Sequence, residues 1–293
     1  MKVSIIICSY GRPKSLEACL NSIDAEASLY AGSEIILVYS VDDTGTAEAM
    51  NEFARTARTP VKVLRADKRG LSVARNVGIA NASGDLLFFT DDDCIMMPGH
   101  LGALIVAMES EPTYDYGGGG VQDAVFSAPG TTHVPQKNVI QPRTLFLGGF
   151  VSGCNMFFRK KVFEKLGGFR EDMGASSGTK FIGAEDLEMA TRASFAGMTG
   201  VQLPGAVIIH DHQRQPNSQE MKSLEYAYDV SRGSFFAYMM MRGIHEVWSL
   251  WAAFATQGGK SGKMDRRALE RLQRELYGAA EYLDYCLKNN IDL

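Results

Sequence analysis

The order of apolar segments predicts an α/β fold with a mostly parallel central sheet flanked by helices on both faces. Three observations carry this. Short apolar runs alternate with segments whose apolar residues recur at helical spacing. One run, from Leu86 to Phe89, leads through Thr90 onto three adjacent carboxylates, Asp91, Asp92 and Asp93. Polar residues follow each of the first four runs, and ligands of open parallel sheets bind beyond the carboxyl ends of the strands.

Taken in order, residues 3–8 read as the first strand, and 15–25 as a helix with Leu16, Cys19, Leu20 and Ile23 on one face. Residues 34–39 and 61–64 repeat the strand pattern, each followed by a helix, over 46–57 and 72–82. The acidic strand comes fourth. This rhythm demands right-handed crossovers and a sheet buried on both faces. Ser9, Tyr10 and Arg12 follow the first strand, Asp42 and Asp43 the second, Arg69 the third and Asp91 to Asp93 the fourth, so all collect at one edge. Taken alone, Asp42 and Asp43 read as a turn or helix cap.

Three neighbouring acids repel one another, which calls for a cation among them. Alternation along an extended segment places Asp91 and Asp93 on one side and Asp92 on the other, and hard oxygen ligands suit magnesium or manganese. A solvated turn capping the helix after Pro98 is the plainer reading. An EF-hand is excluded, because the fifth and twelfth loop positions would be Ile95 and Gly102.

Residues 122–144 form a polar stretch with Pro129, Pro135 and Pro142, long enough to close over a ligand. Residues 148–159 then read as extended and 161–166 as a short helix. Cys154 has no partner base in the sequence and reads as a small buried residue. Glu185 and Asp186 open a helix running to Phe195, where the helix dipole alone favours acids. Two short strands, 201–203 and 206–209, deliver His210, Asp211 and His212.

The 293 residues, 45% hydrophobic, suffice for a full core. A net charge of -4 argues against a general nucleic-acid binder, which needs excess positive charge. Five scattered cysteines without a CxxC pair favour reduced thiols, hence a cytoplasmic setting, over disulfides or a zinc cluster. Residues 3–8 are too short for a signal-peptide core, and the most apolar stretch, 235–254, is interrupted by Arg242, His245 and Glu246. Neither GxGxxG nor GxxxxGK[ST] occurs, so dinucleotide dehydrogenases and P-loop ATPases are set aside. Gly117 to Gly120 read as a close-packed strand or turn. An aspartyl phosphatase carries its acids on the first strand rather than the fourth.

Together the motifs resemble family 2 glycosyltransferases of the GT-A fold, with its Rossmann-like sheet. The resemblance spans residues 3–212. It rests on Val3-Ser4-Ile5-Ile6-Ile7-Cys8-Ser9-Tyr10-Gly11-Arg12, Val41-Asp42-Asp43, Gly70-Leu71-Ser72-Val73-Ala74-Arg75-Asn76-Val77-Gly78, Gly84-Asp85, Asp91-Asp92-Asp93, Gly168-Phe169 and Gly183-Ala184-Glu185-Asp186 with Arg192 and Gly197. It implies an inverting transferase that takes a sugar from a nucleotide-diphosphate donor. Ser9, Tyr10, Arg12, Asp42 and Arg69 would line the nucleotide pocket, and Asp91 and Asp92 would contribute to donor binding. Asp91, Asp93 and His210 would hold Mg2+ or Mn2+, with His212 as the alternative to His210. Asp186 would be the catalytic base. The saccharide or lipid-linked acceptor would belong to cell-surface or exopolysaccharide assembly. A non-catalytic sugar-nucleotide binder and a nucleotidyltransferase are the rival readings.

The resemblance divides the chain into a transferase domain, 1–212, with a nucleotide-binding half (1–93) and an acceptor half (94–212), and a helical extension, 213–293. In the extension Ile244, Val247, Trp248, Trp251 and Phe254 or Ala255 form a stripe, followed by Lys260, Lys263, Arg266, Arg267, Arg271 and Arg274. Tryptophans beside basic residues suit peripheral contact with the inner face of a membrane. A helix packed on the core or in a homodimer is the competing expectation.

Overall fold

Four apolar runs become the parallel half of the sheet in a computed structural model that describes residues 1–124, 138–140, 151–211, 214, 215, 217–256 and 266–291. These are β1 (Val3–Ser9), β2 (Glu34–Ser40), β3 (Val61–Ala66) and β4 (Leu86–Asp91), in the order β3-β2-β1-β4. Each crossover is a helix: α1 (Pro13–Ala27), α2 (Thr44–Thr56) and α3 (Leu71–Asn81). All three start before their expected first residue, α1 and α2 by two residues and for local reasons. Proline at the first position of α1 is pre-set for helical geometry and needs no donor there. The Asp43 carboxylate caps α2 by accepting from the Thr46 N–H at 3.1 Å.

Alternation sorts the side chains into two layers. Ile5, Ile7 and Phe88 face Leu16, Leu20 and Ile23 of α1, whereas Ile6, Leu87 and Phe89 face Ala74 of α3 together with Phe158, Phe163 and Phe169. Both layers are dry, which is why these strands read as unbroken apolar runs.

The second half of the sheet contains β5 (Cys94–Met96), β6 (Tyr114–Asp123), β7 (Asn138–Ile140), β8 (Met156–Arg159) and β9 (Thr199–His210), with α4 (His100–Ser110), α5 (Lys160–Leu166) and α6 (Glu185–Phe195) between them. The order continues β4-β8-β6-β9-β5, and β7 pairs with β9. β8 runs antiparallel to β4 and β6, while β6 and β9 are parallel, so the sheet is mixed, with β1 to β4 its wholly parallel part. The glycine run lies inside β6. A Cβ at Gly117 would stand 2.0 Å from the Val201 carbonyl oxygen, and one at Gly119 would stand 2.2 Å from that of Ala206. The two short strands expected over 201–203 and 206–209 are one strand: the β6 register jumps from Leu203 to Val207, and the extra residues, Pro204 to Ala206, are taken up as an irregularity. That continuity carries His210 to the same edge as Asp93. The polar stretch 122–144 and the start of the extended segment, 148–150, lie mostly outside the described residues.

The C-terminal part is helical: α7 (Gln219–Met241), α8 (Glu246–Thr256) and α9 (Arg266–Asn289). Phe235, Phe236, Val247, Trp251 and Tyr282 pack together with Met173 and Phe181. Trp251 also donates its indole N–H to Glu275 at 2.6 Å, so this tryptophan is part of the core, whereas Trp248 is 59% exposed. Lys260 and Lys263 lie outside the described residues. Among the described residues, no helix is long and apolar enough to cross a membrane.

α7 and α9 cross at two glycines. A Cβ on Gly233 would lie 1.8 Å from the Glu275 carbonyl oxygen, and one on Gly278 would lie 2.0 Å from that of Val230. Propensity alone would make Gly278→Ala stabilising by up to ~1 kcal/mol. The backbone clash reverses the sign, so a loss of about 1–3 kcal/mol is expected in chemical denaturation.

Candidate active site

The carboxyl ends of β1 and β4 open into a cavity of about 760 Å³, whose other walls come from residues 151–154, the turn before α6, His210 at the end of β9, and α7. Ser9, Tyr10, Arg12, Asp91, Asp92, Asp93, Asp186 and His210 all line it. The sheet edge chosen from the polar sets is therefore the edge of this cavity.

The three acids divide their partners. β4 ends at Asp91, and the next two residues form a turn into β5, so the extended alternation stops before Asp93. Asp92 accepts from the Ser9 hydroxyl at 2.5 Å, and Arg12 Nη1 donates to Asp92 at 3.2 Å and to Asp93 at 2.8 Å. Asp93 Oδ1 meets His210 Nε2 at 3.2 Å. Asp91 instead faces Arg75, with Nη2 at 3.5 Å. Carboxylate, thiol and imidazole atoms of Asp93, Cys94 and His210 lie within 4.8 Å of one another. A carboxylate and an imidazole at one point suit a divalent cation, so the donor set fits the metal that the resemblance implies.

Electrostatics follow burial and pairing. Burial pushes the Asp92 carboxyl up to about 6, against the Ser9 hydrogen bond and the Arg12 charge. Burial also raises Asp91. It would raise Asp93 as well, but the hydrogen bond and charge of His210, with Arg12, outweigh it and hold that carboxyl below the usual range. The same bond lifts His210 to about 9. The turn thus presents one firmly ionised acid, Asp93, and two that take up protons more readily.

Asp186 sits in the first turn of α6 and is fixed by two backbone donors: Leu187 N–H to Oδ1 and Gly153 N–H to Oδ2, each at 2.7 Å. It is half-buried on the cavity wall. Its neighbour is buried. Glu185 accepts from Arg75 Nη1 at 2.7 Å, and its Oε2 has no hydrogen-bond partner among the described residues. Burial and the Asp186 charge push Glu185 up to about 7 despite Arg75.

Two expected pocket residues lie apart. Asp42 is exposed, in the left-handed region at φ 67°, and does not line the cavity. Arg69 is exposed too, its guanidinium 4.9 Å from the centre of the Tyr10 ring. Asp43 caps α2 and also accepts from the Gly11 N–H at 2.6 Å, so it ties the first two loops together. His212 lies outside the described residues. Sequence reasoning missed Arg75 as the hub of the site, where it holds Glu185, Asp91 and the Gly153 carbonyl at 3.1 Å. The signal was an arginine beside Ala74 on the small, buried face of α3. Tyr228 and Arg232 of α7 also line the cavity and were unmarked by any motif.

Comparison with known proteins finds glycosyltransferases. Glycosyltransferase AglE of Haloferax volcanii is 26% identical over 255 residues, covering 82% of this chain and 75% of that protein. The structure resembles that of a mannosyltransferase from Pyrobaculum calidifontis in complex with GDP-Man and Mn2+, at TM-score 0.64, 17% identity and coverage of 96% of this chain and 87% of that one. TarS of S. aureus, residues 1–349 in complex with UDP-GlcNAc, matches at TM-score 0.58 and 15% identity, over 97% of this chain and 89% of that one. The profile described as Glycosyl transferase family 2 matches residues 4–167, the stretch that contributes the cavity floor from Ser9 to Cys154. The chain belongs to that family of glycosyltransferases.

Proposed function

We propose that the protein is a metal-dependent, inverting glycosyltransferase that moves a sugar from a nucleotide diphosphate to a hydroxyl of a saccharide or lipid-linked acceptor. Assembly of a cell-surface polysaccharide or glycolipid is the setting this reading gives it. One observation carries it: an acid held by two N–H groups, Asp186, shares a cavity with the Asp91–Asp93 turn and His210.

In this reading Ser9, Tyr10 and Arg12 seat the nucleotide, and Asp93 with His210, joined by Asp91, hold the Mg2+ or Mn2+. When bound there, the cation would supply charge neutralisation for a departing diphosphate. Asp186 takes the proton from the acceptor hydroxyl as that oxygen attacks the anomeric carbon. Its two backbone hydrogen bonds fix its aim. Arg75 keeps Glu185, Asp91 and the 153 carbonyl in register beneath it.

Calorimetric titration with a panel of nucleotide sugars, with and without manganese, is the direct test. Binding of at least one donor, strengthened by metal and lost in Asp93→Ala, is expected. No binding of any nucleotide sugar under either condition overturns the reading.

A further inference from the structure

Two thiols stand at the cation site. Antiparallel pairing of β5 with β9 sets Cys94 directly across from His210. Its sulfur lies 4.0 Å from Asp93 Oδ1, the same oxygen that meets His210 at 3.2 Å, while Arg12 is engaged with the other oxygen, Oδ2. The Cys94 and Cys154 side chains pack together with Ile208. Cys154 lines the cavity, and the Ser152 hydroxyl lies 3.2 Å from its sulfur. The donor atoms of Asp93, Cys94 and His210 therefore lie within 4.8 Å of one another, and Cys154, from the segment 151–154, packs against Cys94.

That set differs in kind from an oxygen cage. Magnesium takes hard oxygen ligands and keeps its waters, whereas sulfur with nitrogen favours zinc and its softer analogues. We propose that Cys94 and Cys154 join Asp93 and His210 in a mixed sulfur, nitrogen and oxygen site that takes zinc or cadmium in preference to magnesium. The proposal rests on the reading of Asp93 and His210 as cation ligands. Its functional consequence is that a thiophilic cation held by the two sulfurs is drawn away from the diphosphate position, so zinc occupies the centre without replacing magnesium or manganese in transfer. Cys8, Cys19 and Cys286 are free thiols outside this four-residue set.

Cadmium is the probe, because thiolate coordination gives an ultraviolet charge-transfer band that needs no turnover. The reduced protein is expected to develop the band with one equivalent of cadmium and to bind zinc at least about 10²-fold more tightly than magnesium. In the Cys94→Ala/Cys154→Ala variant, shown to be folded by its circular-dichroism spectrum, the band is expected to vanish and zinc affinity to fall roughly tenfold or more. A second measurement needs no variant. Zinc, and not magnesium, is expected to protect Cys94 and Cys154 from alkylation, read site by site by mass spectrometry, while Cys8, Cys19 and Cys286 are unaffected. Absence of the band, an equal band in the double variant, or no zinc protection of Cys94 and Cys154 overturns the proposal. Failure of every nucleotide sugar to bind, with the cadmium band intact, instead counts against the proposed transferase function.

Discussion

Asp186→Asn is expected to lower transfer by about 10²- to 10⁴-fold while leaving donor affinity within about twofold. The substitution keeps one oxygen to accept from either the Gly153 or the Leu187 N–H and gives up the other bond, because the amide NH2 cannot accept, a local loss that leaves the donor-binding residues untouched. What it removes is the capacity to take a proton. A carboxylate present only to complement the dipole of α6 would behave differently: its loss would cost roughly 0.3–1 kcal/mol of stability and leave turnover nearly intact. Steady-state kinetics with calorimetry of donor binding separates the two. A small rate loss accompanied by a lower melting temperature would place the base elsewhere, with His212 or Glu188 next; His212 lies outside the described residues, and Glu188 is fully buried and paired with Arg192 at 2.9 Å.

The parallel half of the fold was legible because each strand announces itself by an apolar run and each helix by its spacing. The run from Val3 to Cys8 and that from Leu86 to Phe89 are buried on both faces, so no other periodicity competes with them. The antiparallel half was harder to read. β8 is only four residues long, and β9 continues through Pro204 and Gly205, two residues that normally signal an end. The position of the site followed from topology, since strand-end polar sets must share an edge. Its internal wiring did not. Which acid faces which cation depends on the turn after Asp91 and on the path of residues 151–154, and neither leaves a periodic trace. Asp42 illustrates the limit: its place after the second strand is correct, yet a positive φ turns the backbone so that its neighbour Asp43 makes the contacts.

Glu185, which the sequence marks only as an acid favoured in the first turn of a helix, belongs to a buried ion pair. Arg75 and Glu185 are both almost wholly inaccessible, with side-chain exposures of 3% and 6%, and they meet at 2.7 Å. Removing one partner of such a pair strands a charge in a dry site, so Arg75→Met is expected to cost about 3–5 kcal/mol in chemical denaturation. Glu185→Gln should cost less, because the amide can still accept from the guanidinium. Replacing both, as Arg75→Met/Glu185→Leu, should recover much of the stability, since an apolar pair carries no desolvation penalty. Activity is not expected to return with it. Arg75 also donates to the Gly153 carbonyl, and the N–H of that same residue holds Asp186, so losing the guanidinium frees the segment that aims the base. A double variant that is stable yet turns over at less than about a hundredth of the native rate would assign Arg75 to positioning as well as to folding. Full recovery of both stability and turnover would reduce the pair to a structural device.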